Sequence, residues 1–563
     1  MNLYPKAAIF LLLPLLSAVA LASQQQASPD IHHKIDKVFE KWDQHNSPGC
    51  AIAIVKDGHI VYSRGYGSGN LEYNIPLTRN SVFRVASLSK QFTAACILLL
   101  QDMGKLQLQD PVRQYLPGLP DYADQVTIQH LLYHTSGIRD FFQLAEISGY
   151  NAEDNYSDSE VMEMIVQQET LNFVPGSEQL YNNSGYFLLA KIIEKVSGLP
   201  LRQFARLHIF EPLGMSSTHF HDDHRMIVKN RAAGYAKRAD GEFEINTSPL
   251  TIIGDGGLFT TVEDLARWEA NFVQNQLAIS NFTEKMTTRG QLTDGTVLPY
   301  AMGLDCGNYR GQETIGHSGA FVGYRSQMLR FPQLGLGIIC LANLSSIQPE
   351  ELSLQVADIY LDHYFSRDKP SLPPAPAETM HKPQEVLISP YIFEPYIGKY
   401  TLGSGMIISI TNEKGNFYAH IIGQTRFRIF PASESDFFVK ETDLEFTFKR
   451  NGDKVAGMVM DIGGRRIFAN RMENEVRLTR QEMEEYTGNY YNEPLNITYQ
   501  VLVDKQQLYF RVGNKPRKAV DPLQKDHMII ADGTAAFKRD SKGRIVAFTF
   551  NSGEVKNLTF KKL

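Results

Sequence analysis

The sequence predicts an α+β domain, an antiparallel sheet flanked by helices with an all-helical region, followed by C-terminal all-β barrels. Three observations lead to this prediction. β-rich runs at both ends of residues 23–365 enclose a long stretch of helical periodicity. A cluster of prolines then occupies residues 366–390. Beyond that cluster the chain shows short alternating runs, frequent turns and little helical pattern.

The composition is that of an ordinary globular protein. The chain has 563 residues, of which 43% are hydrophobic and 21% charged, and these fractions exclude a wholly disordered chain. A formal net charge of −6, without a long Lys/Arg run, argues against a nucleic-acid-binding surface. Four cysteines, none in a C-x-x-C spacing, exclude a disulfide scaffold and are interpreted as small buried hydrophobic residues.

Residues 1–22 are predicted to be a secretory signal peptide. Lys6 precedes the apolar run 7–16, and Ala20-Leu21-Ala22 supplies a small-residue cleavage site before Ser23. An uncleaved N-terminal anchor is the alternative interpretation. No later stretch reaches about 18 uninterrupted apolar residues, so no stable membrane span is expected after cleavage. The expected location is therefore secreted or periplasmic.

The elements of residues 23–365 follow from periodicity and turn signals. Two β-rich runs, 50–55 and 59–62, are joined by Lys56-Asp57-Gly58, and the Asp-Gly pair predicts a hairpin. Residues 90–103 are apolar on nearly every side, which predicts a central buried helix. Further helices are predicted at 28–45, 125–134, 159–168, 183–196, 200–210, 262–273 and 349–364, with a second hairpin at 324–330 and 336–341.

The C-terminal part contains an internal repeat. Residues 366–390 are predicted to be a stiff, extended linker, and the units 391–475 and 476–563 that follow share three short motifs at nearly one offset. The matching motifs are Tyr396-Ile397-Gly398-Lys399-Tyr400 with Tyr486-Thr487-Gly488-Asn489-Tyr490, Phe448-Lys449-Arg450 with Phe537-Lys538-Arg539, and Val455-Ala456 with Val546-Ala547. Two small barrels and one barrel made of two halves both fit this repeat.

Ser87-Leu88-Ser89-Lys90 is an S-x-x-K motif at the start of the predicted buried helix. Residues three apart share one helix face, so the lysine amine is expected to reach the serine hydroxyl. A partly buried lysine has a lowered pKa and can act as the base that a serine nucleophile needs. The other S-x-x-K, from Ser366 to Lys369, opens the proline-rich linker and is interpreted as a solvated turn.

Two further clusters are candidate parts of the same site, although each has an ordinary explanation when taken alone. Tyr181 and Asn183 stand at the start of a predicted helix and could face one cleft, or could be a loop tyrosine and a helix N-cap. His317-Ser318-Gly319 lies just before the strand predicted at 324, where the glycine would let a substrate approach the backbone closely. A histidine there can donate or accept a hydrogen bond near neutral pH.

Together these motifs resemble the serine β-lactamase and penicillin-binding-protein superfamily. Their order, S-x-x-K, then Y-x-N, then an x-x-G triplet, is that of the branch with class C β-lactamases, D-aminopeptidases and esterases. The resemblance spans residues 28–365, and the segments His134-Thr135-Ser136-Gly137 and Gly256-Gly257-Leu258 support it.

Carried over residue by residue, the resemblance implies one catalytic site. Ser87 would be the acylated nucleophile, and Lys90 would be its general base. Tyr181 would protonate the leaving group and activate the deacylating water, while Asn183 would orient the substrate amide. The oxyanion hole would use the backbone N–H groups of Ser87 and Ala320.

One departure from the family pattern bears on the substrate. Many β-lactamases and transpeptidases have a lysine where this chain has His317, and a histidine is neutral for most of the time at pH 7. Its pull on a substrate carboxylate is therefore weaker. The triplet from His317 to Gly319 and the barrel extension are similar to those of D-aminopeptidases. The resemblance implies an exported serine hydrolase acting on a peptide, amide or ester, rather than on antibiotics.

Other functions share the same motifs. A penicillin-binding or β-lactam-sensing protein with little turnover, or a β-lactamase, remains an alternative. A small-molecule or peptide substrate is the expected partner, no nucleic acid, metal or cofactor is expected, and the oligomeric state is left open. The segment His219 to His224 is interpreted as a surface loop rather than a metal site. By analogy with the family, the C-terminal barrels are expected to cap the cleft.

Overall fold

A computed structural model gives the fold of the chain. The predicted signal peptide, 1–22, and most of the predicted linker, 366–384, lie outside the residues that the structure describes. The described residues are 29–151, 154–238, 240–365, 385–402, 407–413, 415–422, 426–439, 444–452, 454–462, 465–472, 478–530 and 533–563.

A six-stranded antiparallel sheet forms the centre of the first domain. In spatial order its strands are β10 (Asp305–Tyr309), β11 (Gln312–Phe321), β12 (Tyr324–Phe331), β13 (Leu336–Ala342), β1 (Cys50–Lys56) and β2 (His59–Tyr66). The N-terminal hairpin thus completes a sheet whose other strands come from the far end of the domain. Alternate residues of β1 belong to two separate hydrophobic cores, because helices cover both faces of the sheet.

Short strands form small sheets beside the main one. Of these, the pairing of Arg84 with Phe259 matters most for the site, because it brings residues 254–258 next to Ser87. The short strands are β3 (Ser68–Asn70) with β4 (Ile75–Pro76), β5 (Phe83–Arg84) with β9 (Leu258–Thr260) and β6 (His219–Phe220), and β7 (Tyr235–Lys237) with β8 (Phe243–Ile245).

Helices cover the sheet and build the helical region of the first domain. They are α1 (Pro29–Phe39), α2 (Lys90–Asp102), α3 (Ile128–Leu132), α4 (Phe141–Ile147), α5 (Asp158–Val166), α6 (Asn183–Ser197), α7 (Leu201–Ala205), α8 (Val262–Gln274), α9 (Phe282–Thr287) and α10 (Pro349–Phe365), with α11 (Pro390–Phe393) and α12 (Arg480–Tyr486) beyond the linker. Every residue from Lys90 to Leu100 is buried, which confirms the prediction of a central helix.

Strand β10 covers only the first half of β11. The pairing begins with Tyr309 opposite Gln312 and ends with Asp305 opposite Gly316. Beyond that point, as far as the described residues show, β11 is paired on one side alone, with β12. On the other edge of β11, residues 317–321 pair with no strand among the described residues.

The triplet from His317 to Gly319 precedes the strand that begins at Tyr324, as predicted, but it also lies inside β11, a strand that the sequence analysis did not predict. Glycines, which are poor strand formers, hid this strand from the sequence pattern. A Cβ at Gly316 would lie 2.0 Å from Met328 O, so the close pairing with β12 requires glycine there.

Two closed, eight-stranded antiparallel barrels follow, which decides between the two arrangements that the repeat allowed. The strands of the first barrel are β14 (Gly398–Leu402), β15 (Ile407–Glu413), β16 (Asn416–Ile421), β17 (Arg426–Pro431), β18 (Asp436–Phe438), β19 (Leu444–Asn451), β20 (Lys454–Ile462) and β21 (Arg465–Arg471). Those of the second are β22 (Gly488–Asn492), β23 (Ile497–Asp504), β24 (Gln507–Val512), β25 (Lys518–Gln524), β26 (His527–Ile530), β27 (Gly533–Arg539), β28 (Ile545–Ser552) and β29 (Val555–Lys562).

The repeated tyrosines have the same structural role in both barrels. The Tyr400 hydroxyl donates to Tyr396 O at 2.7 Å, and the Tyr490 hydroxyl donates to Tyr486 O at 2.6 Å. Each bond ties the first strand of a barrel to the last residue of the short helix that precedes it. The motif therefore repeats because the same hydrogen bond fixes the start of the first strand in each barrel.

The second barrel packs on the first domain through α4. Leu144 and Ile147 of α4 belong to the hydrophobic core of that barrel, and the Tyr499 hydroxyl donates to Ile147 O at 3.0 Å. Burial of these apolar side chains in the barrel core stabilises the docked position of the barrel.

The hairpin between β28 and β29 is held against the first domain by hydrogen bonds. Asn172 Nδ2 donates to Glu554 O at 2.8 Å, and Lys556 N donates to Asn172 Oδ1 at 2.7 Å. The Arg139 guanidinium donates to Lys556 O at 3.1 Å. These bonds fix the tip of the hairpin beside α4.

The four cysteines are free, and three of them, Cys50, Cys96 and Cys340, are buried. Burial raises the pKa of the Cys50 and Cys96 thiols, so both stay protonated at neutral pH. None of the helices that the structure describes is long and apolar enough to cross a bilayer.

Candidate active site

Ser87 lies in a single 3₁₀ turn, Ala86–Ser89, that leads directly into α2. Ala86 has a φ of 48°, in the left-handed region that residues with a Cβ rarely adopt. Val85 N donates to Leu258 O at 3.0 Å and holds the chain in place just before this turn. The serine is half-buried at the N-terminal end of α2, where the helix dipole favours developing negative charge.

Lys90 is fully buried, and its side chain nitrogen contacts three acceptors. They are Ser87 Oγ at 3.1 Å, Asn183 Oδ1 at 2.8 Å and Asp255 O at 2.7 Å. An ammonium has three protons, so all of them are used. When Lys90 is neutral, its two N–H groups still donate to Asn183 Oδ1 and Asp255 O, and its lone pair faces the hydroxyl of Ser87.

Lys90 changes its protonation state slightly above neutral pH. Burial lowers its pKa to about 8, although the carboxylates of Asp255, Asp140 and Asp305 act in the opposite direction. A general base works best when its pKa lies near the operating pH. The Lys90 nitrogen also lies 4.7 Å from the centre of the Tyr181 ring, so it touches both hydroxyl-bearing residues of the site.

Asn183 reaches Lys90 because its neighbour takes over the capping of α6. Asn182 Oδ1 accepts from Gly185 N at 2.7 Å, and Asn182 Nδ2 donates to Ile138 O at 2.7 Å. The N-cap of α6 is therefore Asn182, and the explanation of Asn183 as a cap does not apply. Its side chain oxygen points into the site instead.

Asp140 ties together the two helices that border the cleft. One of its oxygens caps α4 by accepting from Phe142 N at 2.9 Å and Gln143 N at 3.2 Å. The other accepts from Asn183 N at 2.5 Å, at the start of α6. Burial raises the pKa of Asp140, and these backbone bonds oppose that shift. The carboxylate is fully engaged in positioning Asn183.

The Tyr181 hydroxyl is buried and has no hydrogen-bond partner among the described residues. Burial raises its pKa well above the ordinary value, while the Ser87 hydroxyl acts in the opposite direction. The two hydroxyl groups therefore lie close together, and Tyr181 keeps its proton at neutral pH. A buried hydroxyl without a partner is costly, and a substrate atom beside Ser87 would satisfy it.

His134 supports Tyr181 from behind. Its Nδ1 accepts from Asn182 N at 2.9 Å, so the ring proton is on Nε2, and its ring centre lies 4.4 Å from that of Tyr181. Burial holds the pKa of His134 well below its usual value, and the neighbouring Lys90 and His317 side chains lower it further. A neutral imidazole thus fixes the tyrosine ring without adding charge to the site.

His317 is buried and neutral. Its Nδ1 lies 2.6 Å from Ser318 O and donates to it, so Nε2 accepts from the Tyr300 hydroxyl at 3.2 Å. Burial lowers the pKa of His317. The charge of Asp305 opposes this shift, and the charge of Lys90 lowers the pKa further. Both ring nitrogens are engaged within the protein, which leaves no cation at this position to attract a substrate carboxylate.

Gly319 makes room for the turn that carries the nucleophile rather than for a substrate. A Cβ at Gly319 would lie 2.3 Å from Val85 O, 2.4 Å from Ser326 Oγ and 3.2 Å from Ser87 N. The β11 backbone and the Ser87 turn are therefore in direct contact. Ala320, the next residue, lines the cleft together with Ser87.

The loop 254–258 forms another part of the cleft wall. Three hydrogen bonds fasten it to the Ser87 turn and α2: Thr93 Oγ1 donates to Gly254 O at 2.7 Å, Lys90 Nζ to Asp255 O at 2.7 Å, and Leu258 N to Ser89 Oγ at 3.1 Å. This places the side chain of Asp255 in the cleft.

A cleft of about 370 Å³ opens over Ser87. Part of its lining is apolar, from Phe142, Leu250, Ile252 and Phe321. Among the described residues that line it, one guanidinium faces four carboxylates; these charged residues are Arg84 against Asp140, Glu146, Asp255 and Glu554. The cleft is therefore acidic, and it favours a cationic ligand over an anionic one.

Glu554 comes from the second barrel, at the tip of the hairpin between β28 and β29. Burial is the main cause that raises its pKa to about 7, and the nearby carboxylates of Asp140 and Glu146 contribute to this rise. No signal in the sequence marks this glutamate, because Gly553-Glu554 reads as an ordinary turn between two strands. Its position depends entirely on how the barrel docks.

The structure brings the residues predicted from the sequence into one place. Ser87, Tyr181, Asn183 and Ala320 line the cleft, Lys90 lies beneath them, and β11 supports the site through His317 and Gly319. The sequence analysis did not assign a role in the site to four further residues, which are His134, Asp140, Asp255 and Glu554. Two of these, His134 and Asp255, lie in or beside the segments that supported the family resemblance.

Comparison with known proteins agrees with this arrangement. A family model described as Beta-lactamase matches residues 35–358, more than half of the chain. Penicillin-binding protein 4* of Bacillus subtilis (strain 168) is 29% identical over 444 residues, which are 76% of this chain and 95% of that protein. A D-aminopeptidase of Gluconobacter oxydans (strain 621H) is 29% identical over 296 residues, 53% of this chain and 56% of that protein.

A solved structure shares the overall fold. The octameric penicillin-binding protein homologue from Pyrococcus abyssi superposes with a TM-score of 0.55 at 23% identity, covering 86% of this chain and 99% of that one. The family match covers the sheet, the helical region and every candidate catalytic residue. This chain belongs to the Beta-lactamase family.

Proposed function

We propose that this chain is an exported serine hydrolase that forms an acyl-enzyme on Ser87 and then hydrolyses it. The observation that carries the proposal is the contact of Lys90 Nζ with Ser87 Oγ at 3.1 Å, in a site where two other acceptors orient the amine. A serine hydroxyl is a weak nucleophile until a base removes its proton. Neutral Lys90 is that base.

In acylation, the Ser87 hydroxyl proton passes to Lys90 while Oγ bonds to the substrate carbonyl carbon. Negative charge then develops on the carbonyl oxygen, between the N–H groups of Ser87 and Ala320. One such donor typically contributes about 2.7–4 kcal/mol of transition-state stabilisation. The tetrahedral intermediate collapses as the bond to the leaving group breaks.

The leaving group needs a proton, and Tyr181 supplies it. The Tyr181 hydroxyl is neutral and lies beside Ser87, and the Lys90 ammonium next to its ring returns the proton to it. In deacylation Tyr181 and Lys90 together take a proton from a water molecule, and the oxygen of that water attacks the carbonyl carbon of the ester. Ser87 leaves with a proton, and both groups return to their starting state.

The proposed substrates are amides, peptides or esters of amino acids with a free amino group, of the D-aminopeptidase type rather than antibiotics. The name of the Gluconobacter oxydans relative and the acidic lining of the cleft both support this class. A neutral His317 gives little attraction for the carboxylate of a β-lactam. The rings of Phe142 and Phe321 suit an apolar side chain.

Export is the second part of the proposal. The apolar run 7–16 and the small residues 20–22 support a cleaved leader with Ser23 as the first residue of the mature chain. Expression of the full chain in a bacterial host, followed by N-terminal sequencing of the protein outside the cytoplasm, tests this. An intact Met1 in the membrane fraction would contradict it.

Mass spectrometry after reaction with an acylating ester tests the catalytic assignment. We expect one acyl group on the peptide that contains Ser87, and release of that group over time. Labelling should be absent in Ser87→Ala and unchanged in Ser366→Ala, the serine of the other S-x-x-K. Labelling that persists in Ser87→Ala would refute the proposal.

A further inference from the structure

We propose that Asp255 selects substrates with a free amino group, by receiving the α-ammonium of the substrate on its carboxylate beside Ser87. The inference rests on the proposed function and deepens it, because it assigns the recognition of the amino group to one residue of the first domain. Four observations on the geometry of the cleft support it.

The first observation is an unpartnered oxygen. Asp255 is 4% exposed, and its Oδ1 has no hydrogen-bond partner in the part of the chain that the structure describes. Yet the residue lines the cleft that holds Ser87. A buried carboxylate oxygen without a donor costs stability, and such exceptions in native proteins call for an explanation. An ammonium group of a ligand in the cleft supplies the missing donor.

The second observation is the short path from Asp255 to the nucleophile. Asp255 O lies 2.7 Å from Lys90 Nζ, which lies 3.1 Å from Ser87 Oγ. In an amino acid amide the α-nitrogen is separated from the carbonyl carbon by one carbon atom. When Ser87 attacks that carbonyl, the ammonium therefore lies within a few ångströms of the wall formed by residue 255.

The third observation is the rigidity of the loop. Gly254 and Gly257 have φ values of 105° and 79°, which favour glycine. A Cβ at Gly254 would lie 2.7 Å from Tyr186 O, and a Cβ at Gly257 would lie 2.8 Å from Ile252 O. Both glycines are therefore needed for the close approach of the loop to its neighbours. Asp255 is held between them in one place, as a recognition group should be.

The fourth observation concerns the cations near Asp255. Lys90 and Arg84 both face it, and Asp140 is the nearby carboxylate. However, the three donors of Lys90 go to other acceptors, and the Arg84 Nη atoms donate to two backbone carbonyls. Neither cation donates a hydrogen bond to Asp255 Oδ1. The oxygen is thus within the field of two cations but receives no hydrogen bond from the described residues.

Glu554 is the rival carboxylate, because it also lines the cleft. It stands at the tip of a hairpin from another domain and is only partly buried. Asp255 lies deeper, and its own backbone holds the catalytic lysine. The geometry therefore favours Asp255, and a direct comparison of the two residues decides between them.

Binding to a protein without the nucleophile tests the inference independently of turnover. In a Ser87→Ala background, calorimetry compares D-phenylalanine amide with 3-phenylpropionamide, which differ only in the α-amino group. We expect Asp255→Asn to reduce the preference for the amine by about 30-fold, as expected when one partner of a buried charge pair is removed. Glu244→Gln, an exposed carboxylate on β8, is the charge-matched control.

Turnover of the protein with Ser87 intact provides the second readout. The ratio of kcat/KM for D-phenylalanine p-nitroanilide to that for 3-phenylpropionyl p-nitroanilide should fall by a similar factor, about 30-fold, in Asp255→Asn. Any effect of the substitution on Lys90 acts on both substrates and cancels in the ratio. Asp255→Ser replaces Asp255→Asn if the latter does not fold.

The outcomes separate this inference from the proposed function. A preference for the amine that survives in both Asp255 variants, or that Glu554→Gln abolishes instead, would overturn the inference while leaving the hydrolase intact. Amine-selective binding that depends on Asp255, in a protein whose Ser87 is never acylated, would support the inference and overturn the proposed function.

Discussion

Glu554 of the second barrel lines the same cleft as Ser87 of the first domain. The hairpin reaches the cleft because Asn172 bonds to it on both sides of residue 555 and because α4 packs its apolar face into the barrel core. The other face of α4 lines the cleft. The second barrel is therefore a wall of the cleft, which agrees for that barrel with the expectation that the C-terminal barrels cap the cleft.

Replacing Lys90 by arginine should stop acylation while keeping the positive charge. A guanidinium does not lose its proton in a protein, so Ser87 would have no base. We expect the acylation rate with an activated ester to fall by about 10²- to 10⁴-fold. Stopped-flow measurement of the released alcohol checks this. Lys195→Arg, on the exposed face of α6, is the control, and an equal loss in both variants would contradict the assignment.

The pH dependence of kcat/KM should follow the protonation of Lys90. Its pKa is about 8, and only the neutral amine accepts the serine proton, so activity should rise with pH and level off above that value. The measurement should use an ester without an ionisable group, so that the pH profile of kcat/KM contains no contribution from the titration of the substrate. In Asp255→Asn the carboxylate that raises the pKa of Lys90 most is gone, so the midpoint should move to lower pH.

Tyr181→Phe should separate acylation from turnover. The ring and its contact with His134 remain, but the unpartnered hydroxyl beside Ser87 is lost. With an activated ester, whose leaving group needs no proton, we expect the acyl-enzyme to accumulate, with one equivalent of product in a burst and steady-state turnover reduced by about 10²-fold or more. Unchanged turnover would show that another group moves the proton.

Gly319→Ala should displace the nucleophile. Its Cβ would collide with Val85 O and Ser326 Oγ, so β11 and the Ser87 turn would have to move apart. We expect a lower melting temperature and an acylation rate reduced by about 10²-fold, because a small misplacement of catalytic groups is costly. Gly118→Ala, where a Cβ meets no atom within 4 Å, is the matched control and should behave as the unchanged protein.

Glu554→Gln should stabilise the docked barrel at alkaline pH. The pKa of Glu554 is raised from 4.5 to about 7 in the folded protein. Between pH 4.5 and 7 the Glu554 carboxyl is ionised in the unfolded chain but still protonated in the folded one. The native state therefore loses stability as the pH rises through this range, and its stability stays at the lower level above pH 7. Glutamine removes this loss, at most about 3 kcal/mol. Thermal unfolding at pH 8 should show the gain, and at pH 4 it should vanish.

The catalytic pair was predictable because its geometry is local. Ser87 and Lys90 are three residues apart at the start of a helix, so helical spacing alone brings the amine to the hydroxyl. The apolar character of α2 on all sides likewise predicted its burial. The repeat of Tyr396 and Tyr486 predicted two equivalent units, because each barrel is closed by local strand pairing.

Other parts of the site had no such local signal. β11 was not recognised, because its glycines lower its strand propensity, and the reason for them is a contact with Met328 and Val85 in distant segments. Asn183 looked like a helix cap until Asn182 was seen to occupy that role. Asp255 is next to a segment used as a family signature, but nothing in the sequence indicates that its Oδ1 is buried without a hydrogen-bond partner.

Amino-acid order alone thus specified the sheet-and-helix domain, the repeat and the serine–lysine pair, since each depends on periodicity over a few neighbouring residues. The acidic cleft was decided by the tertiary structure, in which the loop at Asp255, helix α4 and the hairpin at Glu554 meet over Ser87. These segments are far apart along the chain, and their meeting depends on the packing of one domain against another. Local patterns carry no information about such packing, which is set by shape and by the burial of apolar surface.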